Sequence, residues 1–80
     1  MRGLRVYINS SGDGPHGGRR TFYSRRADGP LYRWLYEEEA GRWRGSRVFM
    51  PVLASRLLCV ANWKAVPPKL QEELYEHYLE

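Results

Sequence analysis

The chain has 80 residues, of which 42% are hydrophobic and 28% charged, with a formal net charge of +4. A chain of this size holds one domain with a thin core, burying about 60% of the surface its unfolded form exposes. A cofactor domain joined to a substrate domain is thereby excluded, and the composition is that of a globular protein rather than a disordered one.

Leu4-Arg5-Val6-Tyr7-Ile8-Asn9 alternates cleanly, with Leu4, Val6 and Ile8 on one side and Arg5, Tyr7 and Asn9 on the other. That period of two predicts a half-buried strand. Residues 10–18 (SSGDGPHGG) hold four Gly and one Pro and read as a flexible loop. A second strand is expected over residues 20–26, ended by the turn Ala27-Asp28-Gly29-Pro30, where Asp-Gly supplies a positive φ. A third follows over residues 31–37. Tyr32, Trp34 and Tyr36 share one face of it, read as core because a small domain needs their area; Leu31, Arg33 and Leu35 share the other.

Residues 38–41 make a second tight turn, and residues 42–49 return as a fourth strand in which Gly45 marks a bulge or bend. Pro51 to Asn62 is ambiguous. Val52, Leu53, Arg56, Leu57, Val60 and Ala61 fit a helical stripe behind Pro51. A buried strand through Leu57-Leu58-Cys59-Val60 competes, since periodicity does not separate the two in a short apolar run. Twelve residues is long for a strand, so helix is preferred. Pro67 to Glu80 is the clearest element: Leu70, Leu74 and Tyr78 recur at i, i+4 and i+8, flanked by His77, with Glu72, Glu73, Glu76 and Glu80 opposite. Glu72 and Glu73 are expected near the positive end of the helix dipole. Strands grouped before helices give an α+β fold: a three- to four-stranded antiparallel sheet, then one or two helices, the C-terminal amphipathic helix packed on the sheet. Residues 1–80 are read as a single domain.

The basic residues are 11 Arg and 2 Lys, and residues 1–63 carry a net +6 against −2 for residues 64–80. A basic surface favours phosphate-rich or acidic partners, and Arg suits bidentate phosphate contact and stacking better than Lys. The competing source of the Arg excess is genome composition, with which a single Ile agrees. Cys59 is the only cysteine, so an internal disulfide is excluded, and its apolar neighbours predict a small buried hydrophobe. The longest nearly apolar run, Val48 to Trp63, is 16 residues broken by Arg56, short of the ~20 a membrane span needs. No signal peptide is read at the start. A cytoplasmic protein with no membrane partner is expected.

The sharpest constellation is Arg with aromatics on the sheet. Arg5/Tyr7/Asn9, Thr21/Tyr23/Arg25 and the Arg42/Arg44 flank belong to a face that the helix leaves open. Tyr rings stack bases, and Arg takes phosphate or a base plane. On this reading Arg5, Arg19, Arg20, Arg25, Arg26, Arg42 and Arg44 neutralise phosphates, while Tyr7 and Tyr23 stack. The bland alternative makes the arginines solvated strand positions. The loop before Arg19-Arg20 could cradle phosphate on its glycine N–H groups, but lacks the P-loop ending. Asp13 and His16 are too few for a metal site. His16, His77, Tyr and Arg could make a metal-independent ribonuclease, but no nucleophile–base pair stands at a telling spacing. The expectation is a small non-enzymatic, nucleic-acid-associated protein without cofactor. The alternative is a protein-interaction module or inhibitor that uses a sheet edge or the terminal helix. Glu37-Glu38-Glu39 and the acidic helix face would then meet a basic partner. Self-association through a sheet edge is a further expectation.

Overall fold

The computed structural model describes residues 3–9, 21–49 and 57–79. Five strands come first: β1 (Leu4–Asn9), β2 (Phe22–Arg26), β3 (Tyr32–Glu37), β4 (Arg42–Arg47) and β5 (Leu57–Cys59). A 3₁₀ turn (Trp63–Ala65) and helix α1 (Pro68–Tyr78) follow. All pairings are antiparallel, and the sheet order is β4-β3-β2-β1-β5. The fold is α+β, with one more strand than expected.

That strand corrects the reading of Pro51–Asn62 as helix over its described part, residues 57–62. Leu57–Cys59 pairs with β1, Tyr7 opposite Cys59 and Ile8 opposite Leu58, and the Val60 N–H extends the ladder to the Val6 carbonyl at 2.8 Å. The competing strand reading held for these residues because the free edge of β1 offers hydrogen bonds that a solvent-facing helical turn would not replace. Residues 51–56 lie outside the described residues, as do the expected loop of 10–18 and Arg19 and Arg20.

The turns follow local chemistry. Gly29 N–H closes the β2–β3 turn on the Arg26 carbonyl at 2.9 Å. The residue at positive φ there is Asp28, at 63°; a short polar side chain tolerates this region better than most. In the β3–β4 turn Gly41 takes φ 64° and donates its N–H to the Glu37 carbonyl at 2.8 Å. Gly45 forms no bulge. It pairs in register opposite Trp34, and a Cβ there would stand 2.7 Å from the indole. The glycine leaves room for the Trp34 ring to lie across the edge strand, an arrangement by which aromatic rings support edge glycines.

Register decides which residues face the helix. Leu4, Val6 and Ile8 stand opposite Arg26, Ser24 and Phe22; Phe22 and Ser24 stand opposite Trp34 and Tyr32; Trp34 and Tyr36 stand opposite Gly45 and Trp43. Val6, Phe22, Trp34 and Trp43 bury against Val66, Leu70, Leu74 and Tyr78. Leu70 and Leu74 are wholly buried, and each contributes about 1.5–3 kcal/mol by leaving water. The expected stripe of α1 is thus the face that meets the sheet.

Buried polar groups orient that contact. Trp34 Nε1 donates to Ser24 Oγ at 2.8 Å, and the Ser24 and Tyr78 hydroxyls share a 2.8 Å hydrogen bond. Burial raises the Tyr78 phenol above its ordinary value, against smaller lowering effects of the Ser24 hydrogen bond and the Arg26 charge. The Gln71 amide ties the 3₁₀ turn to α1 through the carbonyls of Trp63 and Val66. Pro68 opens the helix, and the first turn carries no acidic residue. Glu72 and Glu73 therefore lie one turn further in than expected, where the dipole is weak.

Candidate functional site

The face away from α1 is built by the same alternation that builds the core. Arg5 and Tyr7 of β1 stand directly opposite Arg25 and Tyr23 of β2. Tyr23 stands opposite Arg33 of β3. Arg33, Leu35 and Glu37 stand opposite Ser46, Arg44 and Arg42 of β4. One surface therefore gathers Arg5, Arg25, Arg33, Arg42 and Arg44 around Tyr7 and Tyr23, with Glu37 as its one acidic residue among those strand positions.

Its electrostatics are uneven. Arg5 and Arg25 are both exposed and face each other across the ladder, a like-charge pair of a kind that destabilises a sheet. Neither forms an ion pair among the described residues. Arg33 is half-buried and its Nε is shielded from solvent without a hydrogen-bond partner. Thr21, 5% exposed, likewise has a partnerless Oγ1. At the β4 edge the charges are matched. Arg44 Nε lies 3.2 Å from Glu37 Oε1, and Arg42 Nη2 reaches Glu73 of α1 at 3.2 Å. Both pairs are largely exposed, and such pairs are worth roughly 0–1 kcal/mol.

The other expected site residues fall as follows. Tyr23 is only 4% and Thr21 5% exposed, so the face is covered at this part of β2 and Tyr23 is no free stacking surface, whereas Tyr7 is half-buried. Arg26 follows Arg25 in sequence but stands on the opposite face, across from Leu4. Its Nη2 donates to the Tyr78 carbonyl at 2.8 Å, and its guanidinium lies 5.5 Å from the Tyr78 ring centre. There it places a cation on the last turn of α1, where the helix dipole favours one. His77 lies on the helix side, its ring edge-on to Tyr32 at 4.4 Å and Trp34 at 5.5 Å, away from the arginines. Cys59 is exposed, not buried as expected; β5 is an edge strand, and its Cys59 position belongs with Tyr7 to the open face.

Arg33 is the residue missed in the list of phosphate contacts. Its signal lay in the alternation: once Tyr32 and Trp34 are core, Arg33 follows to the open side. A separate groove of about 580 Å³ runs between β4 and α1 over Trp34 and Trp43, rimmed by the two ion pairs just described. Among the described residues no cluster of three or more His, Cys, Asp or Glu could hold a metal, and no helix is long and apolar enough to cross a membrane. Chemically, the open face can offer planar, permanently charged donors to anionic oxygens and an aromatic ring beside them. Compared with protein-family models, curated proteins and solved structures, the chain matches none.

Proposed function

We propose that the chain is a small, non-enzymatic cytoplasmic protein that associates with nucleic acid, single-stranded by preference, through the open sheet face. The observation that supports this reading is the Arg5–Arg25 cross-strand pair, exposed and without a carboxylate partner among the described residues. Two opposed like charges cost stability, and a polyanion laid over them removes that cost. Phosphate contact supplies affinity, and Tyr7 supplies a surface against which a base can stack. A single strand suits a sheet face because its bases are free to splay onto it.

Fluorescence anisotropy with labelled single-stranded DNA, single-stranded RNA and duplex DNA, at low and near-physiological salt, tests the reading. Affinity that falls log-linearly with salt, and roughly tenfold on Arg25→Ala, is the expected result. Flat curves with all three probes would overturn it.

A second reading, a protein-interaction module, is favoured by the β5 edge. Leu58 is 52% and Ile8 36% exposed, paired side by side at the end of the sheet. An added strand from a partner would cover them. This reading expects a stoichiometric protein complex that survives nuclease and is lost in Leu58→Lys.

A further inference from the structure

The pairing register places the arginines of the open face on a line. From Arg5 the step to Arg25 is straight across the ladder. Arg33 is opposite Tyr23, so it is displaced from Arg25 by two residues along the strand direction. Arg44 is opposite Leu35, displaced by two more in the same sense. The four cross β1, β2, β3 and β4 in order, one arginine per strand. Directly opposed positions lie about 5 Å apart and diagonal ones roughly 7–8 Å, so the line spans about 20 Å and runs obliquely to every strand. Tyr7, Tyr23 and Leu35 lie along one flank of it.

We infer that this line is a track for the sugar–phosphate backbone of one nucleic-acid strand, entering at β1 and leaving at β4, with its bases on the Tyr7 flank. The inference rests on the nucleic-acid reading above and adds the path and the contacts. Three features of the four arginines carry it. Arg5 and Arg25 have no anionic partner among the described residues. Arg33 is half-buried in the middle of the line and forms no ion pair among the described residues. Among the described residues Arg44 is engaged by Glu37 alone, in an exposed ion pair with its side chain 74% accessible, and a phosphate can displace so weak a partner. Arg42 is off the track, drawn round the sheet edge to Glu73. Arg47 stands opposite Tyr32 on the other face.

Each phosphate neutralised on a single strand contributes about −0.7 to the slope of log K against log salt. Four contacts therefore predict a slope of about −2.8 for a labelled oligo(dT) titrated against the full chain. Arg5→Ala, Arg25→Ala, Arg33→Ala and Arg44→Ala should each make the slope shallower by about 0.7, while Arg47→Ala, on the other face of the sheet, leaves it unchanged. Thermal melts by circular dichroism verify folding, and Arg33→Gln replaces Arg33→Ala if the latter unfolds. A slope of the predicted size that Arg47→Ala reduces as much as the other four variants do would overturn the track and leave the nucleic-acid reading standing. A slope indifferent to the four arginines would place binding elsewhere on the chain. Absence of oligo(dT), RNA and duplex binding would remove both.

Discussion

The two faces of the sheet are made from the same strands by the same alternation, yet they resolve their polar groups in opposite ways. On the helix side, the side chains of Ser24, Trp34 and Tyr78 share hydrogen bonds within a buried aromatic and aliphatic core, and Arg26 Nη2 donates to the Tyr78 carbonyl. On the open side, Arg5, Arg25 and Arg33 stand close with no carboxylate in reach among the described residues. A small domain has few kcal/mol to spare. Its stability is concentrated on the first face, and the second retains a repulsion that folding alone does not need. That asymmetry is what directs attention to the open face as the site.

The contrast can be broken most severely from the core side. Leu74→Ala removes a wholly buried side chain and should cost about 2–5 kcal/mol, read as a lowered urea midpoint or outright loss of the unfolding transition. Ser24→Ala comes next. It leaves Trp34 Nε1 and the Tyr78 hydroxyl without their shared partner, and each buried orphan costs about 1–3 kcal/mol. A loss below about 0.5 kcal/mol would mean that the network does little to hold the helix.

Alkaline titration sharpens the same comparison. Burial raises the Tyr78 phenol above its ordinary value of 10.0, so the unfolded chain releases that proton first. The stability tied to the neutral phenol is whole below about pH 10 and is lost as pH rises through the folded value. Unfolding free energy measured across that range should fall more steeply for the native chain than for Tyr78→Phe. Equal slopes would show that the phenol is not held neutral by the fold. The smallest effect belongs to the open face. Arg25→Thr removes one member of the opposed pair and should raise stability by roughly 0.2–1 kcal/mol while weakening oligonucleotide binding. If it lowers stability instead, Arg5 and Arg25 are not in net repulsion.

Much of this arrangement was legible in the residues. Alternation in residues 4–9 marks β1 to its ends, and Tyr32, Trp34 and Tyr36 mark the buried face of β3. The i, i+4, i+8 stripe of Leu70, Leu74 and Tyr78 marks the face of α1. Three features were not legible, for separate physical reasons. β5 has three residues, too few for a period of two to separate from a helical stripe; its strand character comes from the edge of β1, which lies far off in sequence. Gly45 reads as a bend because the indole that fills its place belongs to another strand. Arg25 and Arg26 read as one basic pair, although adjacent strand residues necessarily point to opposite faces. The unpaired state of Arg5 and Arg25 needs the register, which no single strand carries.

The position of α1 also orders events during synthesis. The hairpins built from β2, β3 and β4 use only neighbouring stretches of chain and can pair as soon as they emerge. Their core side chains, Trp34 and Trp43 among them, are covered by Leu70, Leu74 and Tyr78, which emerge some thirty residues later. In that interval the nascent sheet displays apolar surface on one side and positive charge on the other. The final turn of α1 is thus the last described part of the core to emerge, and with it the Tyr78 hydroxyl meets Ser24.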